Sequence, residues 1–183
     1  MTVPPRIVDL SKWLSWALRH DPTAAGITLD AAGWCDIDAV LAAAARAGRT
    51  MPMAELSQVV STSDKKRFAL SDGGHLIRAN QGHSVPVELG LAPQAPPHLL
   101  FHGTADRFVA AIRTEGLKRQ ARHHVHLSAD RGTATSVGVR HGRPVVLVIA
   151  AGRMHADGHL FYRSENVVWL VEAVPPAYLG IEE

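Results

Sequence analysis

Arg67-Phe68-Ala69-Leu70, Ser71-Asp72-Gly73-Gly74 and His75-Leu76-Ile77-Arg78 are consecutive quartets, and they decide how the first half of the chain folds. Two short, largely apolar runs flank a turn whose glycines supply the backbone conformations a reversal needs, so residues 67–78 read as a hairpin. What precedes them is helical. Over residues 9–20, Leu10, Trp13, Leu14, Ala17 and Leu18 follow the i, i+3, i+4, i+7, i+8 spacing of one helix face, with Asp9 placed to cap the start and Pro22 to block continuation. A short extended piece at 27–29 and a turn at Ala31-Ala32-Gly33 lead to a second helix over 39–47, opened by Asp36 or Asp38 and closed by Gly48. A third helix is expected over 53–61, directly after Pro52. Three small helices followed by a hairpin is the order of a winged helix-turn-helix domain, a common nucleic-acid-binding scaffold.

Residues 84–98 hold four prolines and little charge, the composition of a linker. The expected division is 1–85, a linker at 86–97, and 98–183. Beyond the linker, strands are expected at 99–101, 125–127, 145–150 and 167–174, with helices at 106–114 and 131–138. Short strands with helices inserted between them predict an α+β domain with a central β-sheet.

Composition narrows the function classes. The 183 residues are 46% hydrophobic and 20% charged, enough for one domain or two small ones. No run of 18 apolar residues exists and the N-terminus lacks the profile of a signal peptide, so the protein is expected to be soluble and cytoplasmic. A single cysteine, Cys35, leaves no internal disulfide framework. Nineteen basic against seventeen acidic residues give a net charge of +2, too little for a general polyanion binder. The basic residues are mostly arginine, which grips phosphate oxygens through a planar fork, and between Arg113 and Arg143 seven cations face two acids. Nothing in the chain points to an obligate assembly, so a monomer is expected.

Four groups of residues carry chemistry. Arg19-His20 ends the first helix, either complementing its dipole or holding and protonating a phosphate. Ile77-Arg78-Ala79-Asn80-Gln81-Gly82-His83-Ser84 crowds hydrogen-bonding side chains into one loop, as a ligand site does and a solvated loop also can. In Arg122-His123-His124-Val125-His126-Leu127-Ser128, strand alternation sends His124 and His126 to one face. A zinc site there is disfavoured, because no Cys, Asp or Glu stands at ligand spacing and Arg122 repels a cation, so no metal is expected. Phe101-His102-Gly103-Thr104 puts an imidazole and a hydroxyl around a glycine that lets a flat ring approach the backbone. Glycine-rich dinucleotide and P-loop signatures are absent, as is a nucleophile elbow.

Taken in order, these groups resemble the RNA 2'-phosphotransferase family, the bacterial KptA proteins and their eukaryotic tRNA-splicing relatives. The matching text is Leu10-Ser11-Lys12 with Leu18-Arg19-His20; Leu29-Asp30 and Gly33-Trp34; the loop from Ile77 to Ser84; Phe101 to Thr104; Arg122 with His124 to Ser128; Val137-Gly138, Arg140 and Gly142; and Phe161-Tyr162, Ser164, Trp169-Leu170, Val174-Pro175-Pro176 and Tyr178-Leu179. It covers residues 10–179, nearly the whole chain. The resemblance implies an α+β protein with an N-terminal winged-helix lobe and a C-terminal ADP-ribosyltransferase-like mixed α/β lobe that binds NAD.

The reaction it implies removes an internal 2'-phosphate from a tRNA-like RNA. The phosphate attacks the nicotinamide ribose of NAD, expelling nicotinamide and leaving RNA-2'-phospho-ADP-ribose. The ribose 2″-hydroxyl then attacks phosphorus, giving 2'-hydroxyl RNA and ADP-ribose 1″,2″-cyclic phosphate. Arg19, His20, Arg78 and Arg122 fall on the family's catalytic positions. His102, Gly103, Thr104, His126, Ser128, Arg140 and Val168 fall on or beside its NAD-binding strands, and Lys12, Asn80, Gln81 and His83 are expected to meet RNA. Val168 occupies the place where many protein-modifying ADP-ribosyltransferases carry a Glu, which an already ionised phosphate nucleophile does not need. Val167 sits where a Gly is common and Cys35 where a branched apolar residue is common. Two rival functions are ADP-ribosyl capping of terminal nucleic-acid phosphates, which shares the first step, and a winged-helix regulator that senses a nucleotide. The regulator leaves the Arg122 group without a role, and residues 53–61 contain no Lys or Arg for a DNA-reading helix.

Overall fold

The computed structural model describes residues 3–63 and 66–181. The chain divides into two compact units, Met1–Gly90 and Leu91–Glu183, each a mixture of helices and small antiparallel sheets. Within the stretch read as a linker, the Glu88 N–H donates to the Ala31 carbonyl (2.7 Å) in the first unit. The Gln94 N–H donates to the Phe161 carbonyl (2.8 Å) in the second. Among the described residues no helix is long and apolar enough to cross a membrane.

The first unit runs α1 (Pro5–Arg19), α2 (Pro22–Ala25), β1 (Trp34–Asp36), α3 (Ile37–Arg46), α4 (Met53–Ser61), β2 (Phe68–Leu70) and β3 (Leu76–Ala79). Helix α1 begins a turn earlier than Asp9. Pro5 occupies its first position, where a missing N–H costs nothing and the fixed φ is already helical. Its buried face is the predicted one, Leu10, Trp13, Leu14, Ala17 and Leu18, extended by Ile7. Of the two candidate caps for α3, Asp36 serves, accepting the Ala39 N–H at 3.0 Å. The hairpin forms as expected, with β3 central and antiparallel to both β1 and β2. Alternation along β3 buries Ile77 and Ala79 against Leu14, Leu18, Val40 and Leu56, and leaves Arg78 on the opposite face between Trp34 and Ala69.

The second unit contains β4 (Leu100–Ala105), α5 (Asp106–Glu115), β5 (Leu117–Lys118), β6 (Val125–Leu127), α6 (Arg131–Gly138), β7 (Pro144–Ile149), α7 (Ala151–Ala156), β8 (Phe161–Arg163), β9 (Trp169–Val171), β10 (Ala173–Val174) and β11 (Leu179–Ile181). The expected central sheet is instead two three-stranded antiparallel sheets, β11-β7-β4 and β6-β9-β8, with β10 and β5 paired separately. The expected strand over 167–174 is divided at exposed Glu172, so β9 pairs with β6 and β8 while β10 pairs with β5. Reciprocal bonds join the two sheets: the Phe101 N–H donates to the Ser128 carbonyl (2.9 Å), and the Ser128 N–H donates to the Phe101 carbonyl (2.8 Å). Strand β4 continues past Phe101 because backbone pairing with β7 holds through Ala105, whatever side chains His102 and Thr104 carry. The core is built on Leu100, Leu127, Leu147, Ile149, Met154 and Phe161.

The turn between β8 and β9 holds Val167 at φ +58°, a left-handed conformation unfavourable for a β-branched residue. The Val167 N–H donates to the Ser164 carbonyl (2.9 Å), and Ser164 Oγ donates to Asn166 Oδ1 (2.7 Å), so the turn is fixed in this shape. Val167→Gly is expected to stabilise the unit by about 1 kcal/mol: relief of roughly 1–2 kcal/mol of strain outweighs roughly 0.5–1 kcal/mol of extra unfolded-state entropy. A urea denaturation midpoint that fell instead of rising would show that the turn carries no strain.

Candidate functional site

In the first unit, burying the apolar face of α1 delivers Arg19 and His20 at its C-terminal end. Arg19 is half-buried; its Nη2 donates to the Arg67 carbonyl (3.3 Å), and its guanidinium lies 5.9 Å from the centre of the Phe68 ring. The same carbonyl accepts the Asn80 N–H (2.9 Å), so the helix end and the exit of β3 are fastened to one oxygen. Arg78 lies over the Trp34 ring, its guanidinium carbon 4.5 Å from the centroid, because β1 and β3 place the two residues opposite each other. His20 is exposed, closes the helix through its N–H to the Trp16 carbonyl (2.9 Å), and sets its ring Nδ1 3.0 Å from Ser84 Oγ.

The other residues singled out from this loop sit differently. Asn80 is buried, its Nδ2 donating to the Lys66 carbonyl at 2.7 Å. The Asn80 Oδ1 and Gln81 Oε1 atoms are shielded from solvent and accept no hydrogen bond from the described residues. His83 is 2% exposed and packs by Gly33, which places it inside the loop. Lys12 is exposed on α1, seven residues before Arg19 and so on the same face, about 10 Å along the axis.

In the second unit, three residues form a chain of contacts. Exposed Arg122 donates from Nη1 to His126 Nδ1 (2.9 Å), and since a guanidinium only donates, that nitrogen carries no proton. The His126 backbone carbonyl accepts from His102 Nδ1 (3.0 Å), which fixes the His102 proton on Nδ1. Burial pushes the His102 imidazole below its ordinary pKa. The bond to the His126 carbonyl works against that shift, and the nearby charges of Arg122 and His141 work with it. His124, its ring 5.5 Å from that of Tyr162, is lowered by burial first and then by His123 and Arg119. Thr104 is buried, and Ser128 is half-buried at the junction of the two sheets. Val168 is half-buried just before β9, and Arg140 is exposed in a single 3-10 turn at Val139–His141. Among the described residues no three His, Cys, Asp or Glu side chains come together as metal ligands would.

Gly103 has a different explanation from the one its sequence context suggested. A Cβ there would lie 1.7 Å from the Ala134 carbonyl oxygen, so α6 backbone occupies the space a side chain would take. Three contacts escaped the reading of the sequence, although Trp34 and Ser84 stand in the motifs it singled out: Trp34 beneath Arg78, the Arg67 carbonyl at Arg19, and Ser84 beside His20. The first two depend on strand register, and the third joins residues 64 apart.

The sequence profile of the family described as "RNA 2'-phosphotransferase, Tpt1 / KptA family" matches residues 5–173. A protein of Rhodopirellula baltica named "Probable RNA 2'-phosphotransferase" is 53% identical over 180 residues, 98% of each chain. One of the same name from Streptomyces griseus is 54% identical, covering 95% of this chain and 96% of its own. Another, from Pseudomonas aeruginosa, is 55% identical, covering 93% and 94%. With agreement of this depth along nearly its whole length, the chain belongs to the RNA 2'-phosphotransferase family.

Proposed function

We propose that the protein is an NAD-dependent transferase that removes an internal 2'-phosphate from RNA and passes it to ADP-ribose. The observation that carries this reading is that Arg19, His20, Arg78 and Arg122 are all present, each with a defined partner: the Arg67 carbonyl, Ser84, Trp34 and His126. On this reading the first unit is a winged-helix lobe, supported by its element order and its β1-β3-β2 sheet, and the second is an ADP-ribosyltransferase-like lobe.

The chemistry asks for cations. A phosphomonoester carries nearly two negative charges at neutral pH, and guanidiniums neutralise and orient it. In the first step a phosphate oxygen bonds to the ribose carbon as the bond to nicotinamide breaks, the electron pair leaving with nicotinamide. In the second the 2″-oxygen bonds to phosphorus, its proton passes to His20, and the bond to the RNA 2'-oxygen breaks, that oxygen taking up a proton. Charge on the five-coordinate phosphorus is met by fixed guanidiniums, so no metal is required.

NAD is assigned to His102, Thr104, His126, Ser128, Arg140 and Val168, while Gly103, also expected to meet NAD, lets α6 approach β4. The lowered pKa of His102 suits this role, since a neutral imidazole does not repel a cationic nicotinamide ribose. Lys12, Asn80, Gln81 and His83 are assigned to the RNA side, where Lys12 is exposed and buried Asn80 and His83 shape the loop. The protein is assigned to the cytoplasm as a monomer acting on tRNA-like RNA. The test is nicotinamide release from NAD with a short RNA bearing one internal 2'-phosphate. Release that depends on that phosphate is expected; equal release with the 2'-hydroxyl RNA would refute the reading.

A further inference from the structure

The geometry points to Ser84 as the positioning residue that sets which nitrogen of His20 exchanges the proton, an inference that rests on the catalytic reading of His20. The last carbonyls of a helix lack partners within it and attract donors. Ser84 supplies two to one of them: its N–H donates to the Arg19 carbonyl at 2.9 Å and its Oγ–H donates to the same oxygen at 3.4 Å. A hydroxyl has one proton, and once that proton faces Arg19 the Oγ lone pairs face outward. His20 Nδ1 stands 3.0 Å from this oxygen, so the remaining complementary arrangement has Nδ1–H donating to Oγ. The neutral ring then carries its lone pair on Nε2. A ring charged after taking a proton at Nε2 keeps the same Nδ1–H bond, so neither protonation state requires reorganisation.

The elements make this a built arrangement. His20 is the residue that caps α1, Ser84 ends the loop leaving β3, and Arg19, the last residue of the helix, supplies the acceptor that orients the serine. Ser84 itself is exposed, so its removal leaves no cavity.

Two readouts test it on the full-length protein. In side-chain 15N spectra, with the His20 signal identified by its loss in His20→Ala, the neutral ring is expected in the Nδ1–H form in the wild type and mainly in the Nε2–H form in Ser84→Ala. In single turnovers with 2'-phosphorylated RNA and NAD, Ser84→Ala is expected to slow the second step about tenfold while the apparent KM for RNA stays within about twofold. Ser84→Thr should restore most of the rate, and Ser84→Ala should add nothing in a His20→Ala background. An Nε2–H wild-type ring, or losses that multiply in the double variant, would overturn the assignment. A wild type that releases no nicotinamide would instead strike the proposed function, while the spectra would still decide the role of Ser84.

Discussion

Arg122→Ala is expected to lower the rate of NAD-dependent 2'-phosphate removal by roughly a hundred- to a thousandfold, the loss typical of deleting one preorganised donor from a transition-state site. Arg122 is exposed and its guanidinium bonds His126 at 2.9 Å, so the unfolding midpoint should barely move. The variant removes both a positive charge and the donor that keeps His126 Nδ1 unprotonated. Arg122→Lys should recover little, because an ammonium cannot hold an imidazole nitrogen and a phosphate oxygen in one plane as a guanidinium does. Single-turnover rates beside thermal unfolding check both statements. A folded Arg122→Ala protein of near wild-type rate would remove this residue from the reaction.

Gly103→Ala is expected to act on the fold. The new Cβ would sit 1.7 Å from the Ala134 oxygen, 2.6 Å from its carbonyl carbon and 2.9 Å from the Gly138 nitrogen, all helix backbone that cannot swing aside. Gly138 meets β4 the same way, since a Cβ on it would lie 2.7 Å from the Thr104 oxygen. At these two glycines α6 rides directly on the backbone of β4, and one methyl group must lift it. The cost is expected to be about 3 kcal/mol or more, at the upper end for overpacking. Gly48→Ala is the control: its Cβ meets nothing within 4 Å, and only the φ of +70° is strained, so about 1 kcal/mol is expected. Equal melting temperatures for the two variants would contradict the close approach.

Elements with strong local punctuation were legible in the sequence. Helix α4 begins at the residue after Pro52, α6 begins after Asp130, whose carboxylate accepts the Thr133 N–H at 2.7 Å, and buried Val125 and Leu127 bracket β6. Elements whose existence depends on a distant partner were not. Strand β1 is three residues long and shows no periodicity of its own; β3 recruits it, and with it Trp34 under Arg78. Helix α7 has six residues, one of them Gly152, too few to display a turn pattern. The four proposed catalytic residues came through the family resemblance, because no spacing rule links Arg19 to Arg122. The positions of Ser84, Trp34 and the Arg67 carbonyl are products of tertiary structure alone.

The most direct measurement follows the phosphorus. An RNA carrying a single radiolabelled internal 2'-phosphate, incubated with the protein and NAD, should deliver its label to ADP-ribose 1″,2″-cyclic phosphate in step with nicotinamide release. Label appearing as inorganic phosphate at the same rate without NAD, or remaining on the RNA while NAD is consumed, would contradict the account.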